Sequence, residues 1–192
     1  GQMQGLVLLD KEGNVLRNCI IWSDGRTIRE CQEITERVGA ENLISISANP
    51  ALTGFTAGKI LWVRRHEPEI YAKVKTIMLP KDFLRYKLTG EYGSDVSDAS
   101  GTNLLDVPKR EWSQEILSIL DIDKPLLPPL YESSDVTGAI TESAAKLTGL
   151  TAGTPVVAGA ADNAAAAIGT GVVSQGKAFT TLGTSGVIFS HS

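Results

Sequence analysis

An acid and an amide stand side by side at Asp162-Asn163, where the sequence crowds its smallest residues. Before them run Thr154 and the apolar Pro155 to Ala158, with the length and composition of a buried strand, then Gly159, Ala160 and Ala161. After them come Ala164 to Ala167, Ile168, Gly169 and Gly171. A carboxylate just past a strand end, among small neighbours, leaves room for a reactant to approach. A helix begun at Asp162 or Asn163 would also aim free N–H groups and a positive dipole end into that space. The competing reading gives Asp162 no chemistry: it caps the alanine-rich helix, the commonest duty of an Asp before such a run. The residues alone leave both open.

Three further groups carry similar alternatives. Asp24 either caps the helix that follows Trp22-Ser-Asp-Gly-Arg26 or projects with Arg26 into a pocket. Asp95 and Asp98, three apart, suit an acid–base pair or a metal site, but such residues more often cap turns. Gly176 to Ser190 reads as two β-rich runs about a Gly183-Thr184-Ser185-Gly186 turn, either a phosphate nest or an ordinary tight hairpin. His66, with no second His near it in sequence, is a last-turn residue rather than a ligand.

The elements that must position these groups follow from periodicity. Leu6 to Leu9 and Val15 to Trp22, separated by Asp10-Lys-Glu-Gly-Asn14, predict a β-hairpin. Ile28, Cys31, Ile34, Thr35 and Val38 predict a helix stopped by Gly39, and Ser45 to Gly54 a loop. Residues 54–66 predict a helix capped by Thr56 and packed on more than one side. Pro68 and Pro80 open helices, the second running Lys81 to Leu88 and ending at Gly90, with a short buried strand at Thr76 to Leu79 between them. Ser113 caps a helix through Leu120; a strand at Val136 to Ile140 and a helix at Ser143 to Leu147 ended by Gly149 follow.

Strands alternating with helices give an α/β protein, a mixed sheet flanked by helices. The 192 residues suffice for a full core, and 42% hydrophobic with 21% charged residues is ordinary globular composition. A net charge of −4 offers no basic stripe for nucleic acid. Cys19 and Cys31 are too few for a disulfide framework and read as reduced core residues. No signal peptide and no apolar run of bilayer length is visible, so no membrane is expected and the compartment is cytoplasmic by default. The chain starts without an initiator Met, and its strands begin and stop abruptly, which predicts a fragment of a longer protein.

Taken together, seven stretches in order resemble the carbohydrate kinases of the glycerol kinase, gluconate kinase and xylulokinase type. Gly54-Phe-Thr-Ala-Gly-Lys-Ile-Leu-Trp-Val-Arg-Arg-His66 is similar to the family signature, and Gly159-Ala-Ala-Asp-Asn163 to its catalytic aspartate segment. Leu182-Gly-Thr-Ser-Gly186 resembles the nucleotide-side hairpin. Gly1-Gln-Met, Trp22 to Arg26, Leu79-Pro-Lys-Asp-Phe-Leu-Arg85 and Thr89 to Asp95 sit in the family's order, and the set is most similar to the xylulokinases. The resemblance runs from Gly1 to about Ser190.

The resemblance implies an actin-like, ribonuclease H-like ATPase architecture. Residues 1–170 would be most of the N-terminal sugar-binding domain, and 171–192 the start of the C-terminal nucleotide-binding domain. It implies transfer of the γ-phosphate of ATP, with Mg²⁺, to a sugar. It assigns Asp162 as general base, and Gln2, Met3, Gln4, Asp24, Arg26 and Asn163 to the sugar. It assigns Gly183, Thr184 and Ser185 to the nucleotide and no metal ligand within the chain. The implied partners are sugar and ATP; a homodimer stays open. Lys59 and Trp62 read as structural. One departure stands out: where xylulokinases usually carry His after Gln-Met, this chain has Gln4, which hydrogen-bonds but cannot become cationic.

Overall fold

The computed structural model describes residues 1–182 and 186–191. The chain opens with β1 (Val7–Leu9), then three helices, α1 (Ile28–Val38), α2 (Ala40–Ser47) and α3 (Thr56–His66), and the short α4 (Pro68–Tyr71). Next come β2 (Thr76–Met78), α5 (Pro80–Thr89), β3 (Ser94–Asp95), α6 (Val96–Ala99), β4 (Leu105–Asp106), β5 (Glu111–Trp112), α7 (Gln114–Ile119) and β6 (Leu130–Tyr131). The last third holds β7 (Val136–Ala139), α8 (Glu142–Thr148), β8 (Pro155–Val157), α9 (Asp162–Gly169), β9 (Ala178–Leu182) and β10 (Gly186–Ser190). Among the described residues the strands form five two-stranded ladders rather than one sheet. The β3–β6 ladder is parallel and the other four are antiparallel.

The alternation of β1 decides where the core sits. Leu6 and Leu8 face a large cluster that includes Ile20, Ile34, Ile60, Leu61, Ile116 and Leu117. Val7 and Leu9 face the opposite way, onto Met78, as a period of two requires. Fully burying each such side chain contributes about 1.5–3 kcal/mol, so the strand is pinned from both faces. The segment Gly1 to Gly5 therefore leaves a rigid strand end.

The opening hairpin survives only as two bridges, Leu6 to Ile20 and Leu9 to Val15. Six residues, Val15 to Ile20, lie opposite the four of Leu6 to Leu9, so no single register spans them; β1 pairs along its length with β2 instead. α2 replaces the first part of the expected Ser45 loop. Gly39, at φ 86°, both ends α1 and opens α2, and the Ser47 hydroxyl donates to Leu43 O, so a buried serine is satisfied inside the helix. Asp24 caps nothing: α1 begins after Thr27 without a side-chain cap, and Asp24 bonds Arg26. Thr56 is likewise not a cap but the first residue of α3, with its hydroxyl donating to Gln4 O.

α3 is buried on several sides, through Ala57, Lys59, Ile60, Leu61 and Val63. A Cβ at Gly58 would lie 3.2 Å from Thr27 Oγ1, so α1 and α3 approach as closely as glycine permits there. The proline-opened α4 and α5 and the Ser113 cap of α7 are as the sequence predicts. Both cysteines are free. Asp95 caps α6 by accepting from Ser97 N, whereas Asp98 caps nothing and is fully buried. The expectation of a buried strand before Asp162 is overturned. Among the described residues β8 pairs only with β7, and Pro155 and Val157 are exposed.

Candidate active site

α9 begins at Asp162 itself, with Ala161 in the cap position and no side-chain cap. Asp162 Oδ1 accepts a hydrogen bond from Asn163 N at 2.9 Å, and the rest of the carboxylate is open to solvent. The cap alternative is therefore not what the fold uses. Asp162 and Asn163 line a cavity of about 270 Å³, shared with Met3, Gln4, Trp22, Thr181 and Val187. The first two come from the extension of β1, Trp22 from the segment before α1, and the last two from β9 and β10.

The Met3–Gln4 wall is held under strain. Gln4 adopts φ 66°, the left-handed region that non-glycine residues seldom occupy. Its carbonyl accepts from Lys59 Nζ at 2.8 Å and from the Thr56 hydroxyl at 3.1 Å, both on α3. Lys59 also donates to Gly54 O and is fully buried. Burial pulls its pKa down to about 8, partly opposed by Cys19 and Asp24. The Gln4 side chain runs between two glycines: a Cβ added at Gly101 would lie 3.1 Å from its Nε2, and one at Gly54 3.4 Å from its Oε1.

Of the expected sugar-side residues, Met3, Gln4, Asp162 and Asn163 are brought together, with Asn163 Nδ2 4.0 Å from Met3 Sδ. Gln2 is exposed and does not line the cavity. Asp24 and Arg26 pair with each other at 2.7 Å, and the Arg26 guanidinium sits 4.7 Å over the Trp62 ring, which stacks on His66. Gly183, Thr184 and Ser185, expected at the nucleotide, lie outside the described residues. Trp22, Thr181 and Val187 were not anticipated as lining residues. Trp22 had a signal, since a large aromatic at the close of an apolar run and beside a polar turn suits a pocket rim.

Beneath Asp162 lies a polar floor that sequence spacing hinted at only through Asp95 and Asp98. Lys81 Nζ is 2.5 Å from Asp82 Oδ1 and 2.9 Å from Asp95 Oδ1, and it donates to Ala158 O at 3.1 Å. Burial works against the Lys81 charge, but Asp82 and Asp95 outweigh it and raise its pKa. Burial also pushes Asp95 up, yet Ser97, Lys81 and Ser133 hold it below the usual carboxylate range. Asp98 is pushed up to about 8 by burial and by Asp82 and Asp95.

Among the described residues no group of three His, Cys, Asp or Glu is arranged to hold a metal ion. In the buried carboxylate cluster, the Lys81 ammonium supplies the positive charge. These residues therefore do not fit Mg²⁺. No described helix is long and apolar enough to cross a membrane.

The fold is the actin-like one shared with solved carbohydrate kinases. Residues 1–169 match the N-terminal domain of the FGGY family of carbohydrate kinases, and the chain belongs to that family. It is 49% identical over 192 residues to the xylulose kinase of Escherichia coli K12, covering 100% of this chain and 39% of that protein. It is 47% identical over 191 residues to the Bacillus subtilis 168 xylulose kinase, covering 100% of this chain and 38% of that protein. The crystal structure of a xylulose kinase from Rhodospirillum rubrum superposes with a TM-score of 0.93 at 32% identity, over 98% of this chain and 38% of that one. The chain thus spans about two-fifths of the length of the curated relatives it matches.

Proposed function

We propose that these residues form the sugar side of an ATP-dependent kinase that phosphorylates D-xylulose. The observation that carries this reading is the open Asp162 carboxylate, with Asn163 beside it, in a cavity walled by Met3 and Gln4. Phosphoryl transfer asks little covalent chemistry of a protein; it asks for alignment, charge neutralisation and a group to orient the nucleophile. A sugar hydroxyl oxygen attacks the γ-phosphorus, the bond to the β-phosphate oxygen breaks, ADP leaves, and the hydroxyl proton passes to Asp162. Asn163 and Gln4 hydrogen-bond the neighbouring hydroxyls and the ketose carbonyl.

The remaining assignments belong to the same proposal. Residues 1–170 serve as the sugar-binding domain and 171–192 open the nucleotide-binding domain, a division supported by the family match to residues 1–169. Thr181 and Val187, on either side of residues 183–185 in sequence, line the cavity, which supports a nucleotide role for those residues. Asp24 and Arg26 act at the sugar only if their mutual pair opens. The reaction takes place in the cytoplasm, and Mg²⁺ is held by groups other than those described.

Steady-state kinetics of Asp162→Asn in the full-length protein tests the base. Turnover should fall at least about 100-fold with little change in sugar KM, because a general base acts in the transition state. Near-normal turnover would leave Asp162 as a helix residue only. Comparison of kcat/KM among D-xylulose, L-ribulose, D-gluconate and glycerol tests the sugar. Gln2-Met3-Gln4 offers no cation for a sugar acid, and glycerol leaves polar groups of the wall unpaired. A tenfold or greater advantage for any of the other three would overturn the substrate while leaving the chemistry at Asp162 intact.

A further inference from the structure

The segment that delivers Asp162 has almost no side chains with which to anchor itself. Ala158, Gly159, Ala160 and Ala161 lead from the half-exposed β8 into α9, and Gly159 turns at φ 82°. Backbone hydrogen bonds hold it at Ala158 N to Asp135 O, Gly159 N to Ser133 O, Gly1 N to Ala160 O and Asp162 N to Gly1 O, and two side chains add contacts to it. Lys81 Nζ donates to Ala158 O at 3.1 Å, and its stem lies where a Gly159 side chain would go, 3.3 Å from an added Cβ. Ala161 N, one residue before the carboxylate, donates to Ser97 Oγ at 3.1 Å.

Both anchors converge on one carboxylate. Ser97 Oγ donates to Asp95 Oδ2, Ser133 Oγ donates to the same oxygen at 2.8 Å, and Lys81 meets Oδ1 at 2.9 Å. The Lys81 ammonium donates to Asp82 Oδ1 and Ala158 O and pairs in charge with Asp95 Oδ1, so it ties the two carboxylates to the turn. Asp82 and Asp95 are fully buried, and Lys81 retains 10% side-chain exposure. A buried charge cluster is costly to keep, and here Asp82 Oδ2 and Asp95 Oδ1 have no hydrogen-bond partner, so the Lys81 charge is what offsets the two carboxylates. Through Lys81 and Ser97 this cluster contacts both ends of the segment that leads into Asp162.

We propose that Lys81, Asp95 and Ser97 are positioning residues for phosphoryl transfer, fixing the Ala158–Ala161 turn so that Asp162 meets the sugar hydroxyl in line. This rests on Asp162 being the base. Lys81 and Ser97 do not line the cavity; they act through the backbone on either side of the turn. Misplacing a reacting group by about 1 Å is enough to cost roughly 100-fold, so small displacements of this turn matter.

The test is a kinetic cycle in the full-length protein with Lys81→Met, Ser97→Ala and Asp162→Asn, singly and combined. Ser97→Ala removes one hydroxyl and leaves the ion pairs, so it keeps the test open where Lys81→Met fails to fold. Each of the two should lower kcat roughly 10- to 100-fold while sugar KM moves less than about threefold. In the Asp162→Asn background the same changes should cost less than about twofold more, since they act through a group already removed. Folded Ser97→Ala with wild-type kcat, beside an inactive Asp162→Asn, would overturn the positioning role alone. Losses that multiply in the Asp162→Asn background would overturn it too. An Asp162→Asn protein with normal turnover would overturn both readings together.

Discussion

Lys59, fully buried, and Lys81, nearly so, each stand behind one side of the cavity, yet they sit in opposite electrostatic surroundings. Lys59, behind the wall, gives its hydrogen bonds to two neutral carbonyls, those of Gln4 and Gly54, and burial draws its pKa down to about 8. Lys81, in the floor, feels the same burial, but Asp82 and Asp95 reverse the outcome and raise its pKa. Burial alone discourages a charge; burial beside a matched carboxylate preserves it. The wall is therefore held by a lysine close to losing its proton in mild alkali, and the floor by one that stays cationic.

The largest effect should come from unmatching the floor. Asp95→Ala leaves the Lys81 ammonium with one fewer buried partner and should cost about 3–5 kcal/mol of stability, read by urea unfolding of the full-length protein. A loss no greater than that of an exposed ion pair, about 1 kcal/mol or less, would show that charge matching is not what holds the floor. Next comes the wall. Lys59→Met removes a charge with no carboxylate partner but strands two buried carbonyls, so about 1–3 kcal/mol is expected. It should also raise sugar KM more than it lowers kcat, because Gln4 binds rather than reacts. Equal losses at Asp95 and Lys59 would erase the distinction between the two sites.

The smallest effects are slopes with pH, and they differ in sign. Asp98 keeps its proton in the folded protein up to about 8 but has an ordinary value of 3.8. The folded state holds the extra proton between those values, so this contribution is present below 3.8 and is lost as pH rises to about 8. Its slope is at most about 1.4 kcal/mol per pH unit, and Asp98→Asn should remove it. Lys59 goes the other way. Between about 8 and its ordinary 10.5 the unfolded state binds the extra proton, so stability rises with pH there, and Lys59→Met should flatten the rise. Unfolding midpoints of the two variants at pH 5 to 10 read both slopes. Parallel slopes would contradict the opposite environments assigned to the two groups.

Local chemistry made much of the fold legible, and chain separation hid the rest. Pro68, Pro80, Gly39, Gly90 and Ser113 mark helix ends by rules that act within a few residues, and the helices begin and end there. Small residues around Asp162 allowed either an open carboxylate or a helix cap, and the fold, which caps α9 with Ala161, decides between them. The opening hairpin failed because register depends on how many residues each arm holds between its bridges, which alternation does not reveal. The floor was invisible for a stronger reason: Lys81 and Ala158 are 77 residues apart, and no spacing rule joins them. Lys59 read as structural because a lysine in an apolar helix shows no partner in sequence; its acceptor, Gln4 O, lies 55 residues away.

The two glycines that flank Gln4 bear on how this cavity can change over evolutionary time. With Gly54 on one side and Gly101 on the other, position 4 occupies a slot with no slack in width. A flat or narrow replacement fits without asking anything of its neighbours, whereas a branched one meets backbone it cannot push aside. Substitutions at 54 or 101 are in turn silenced or harmful according to what stands at 4. What stands at any one of the three positions therefore limits what the other two can accept.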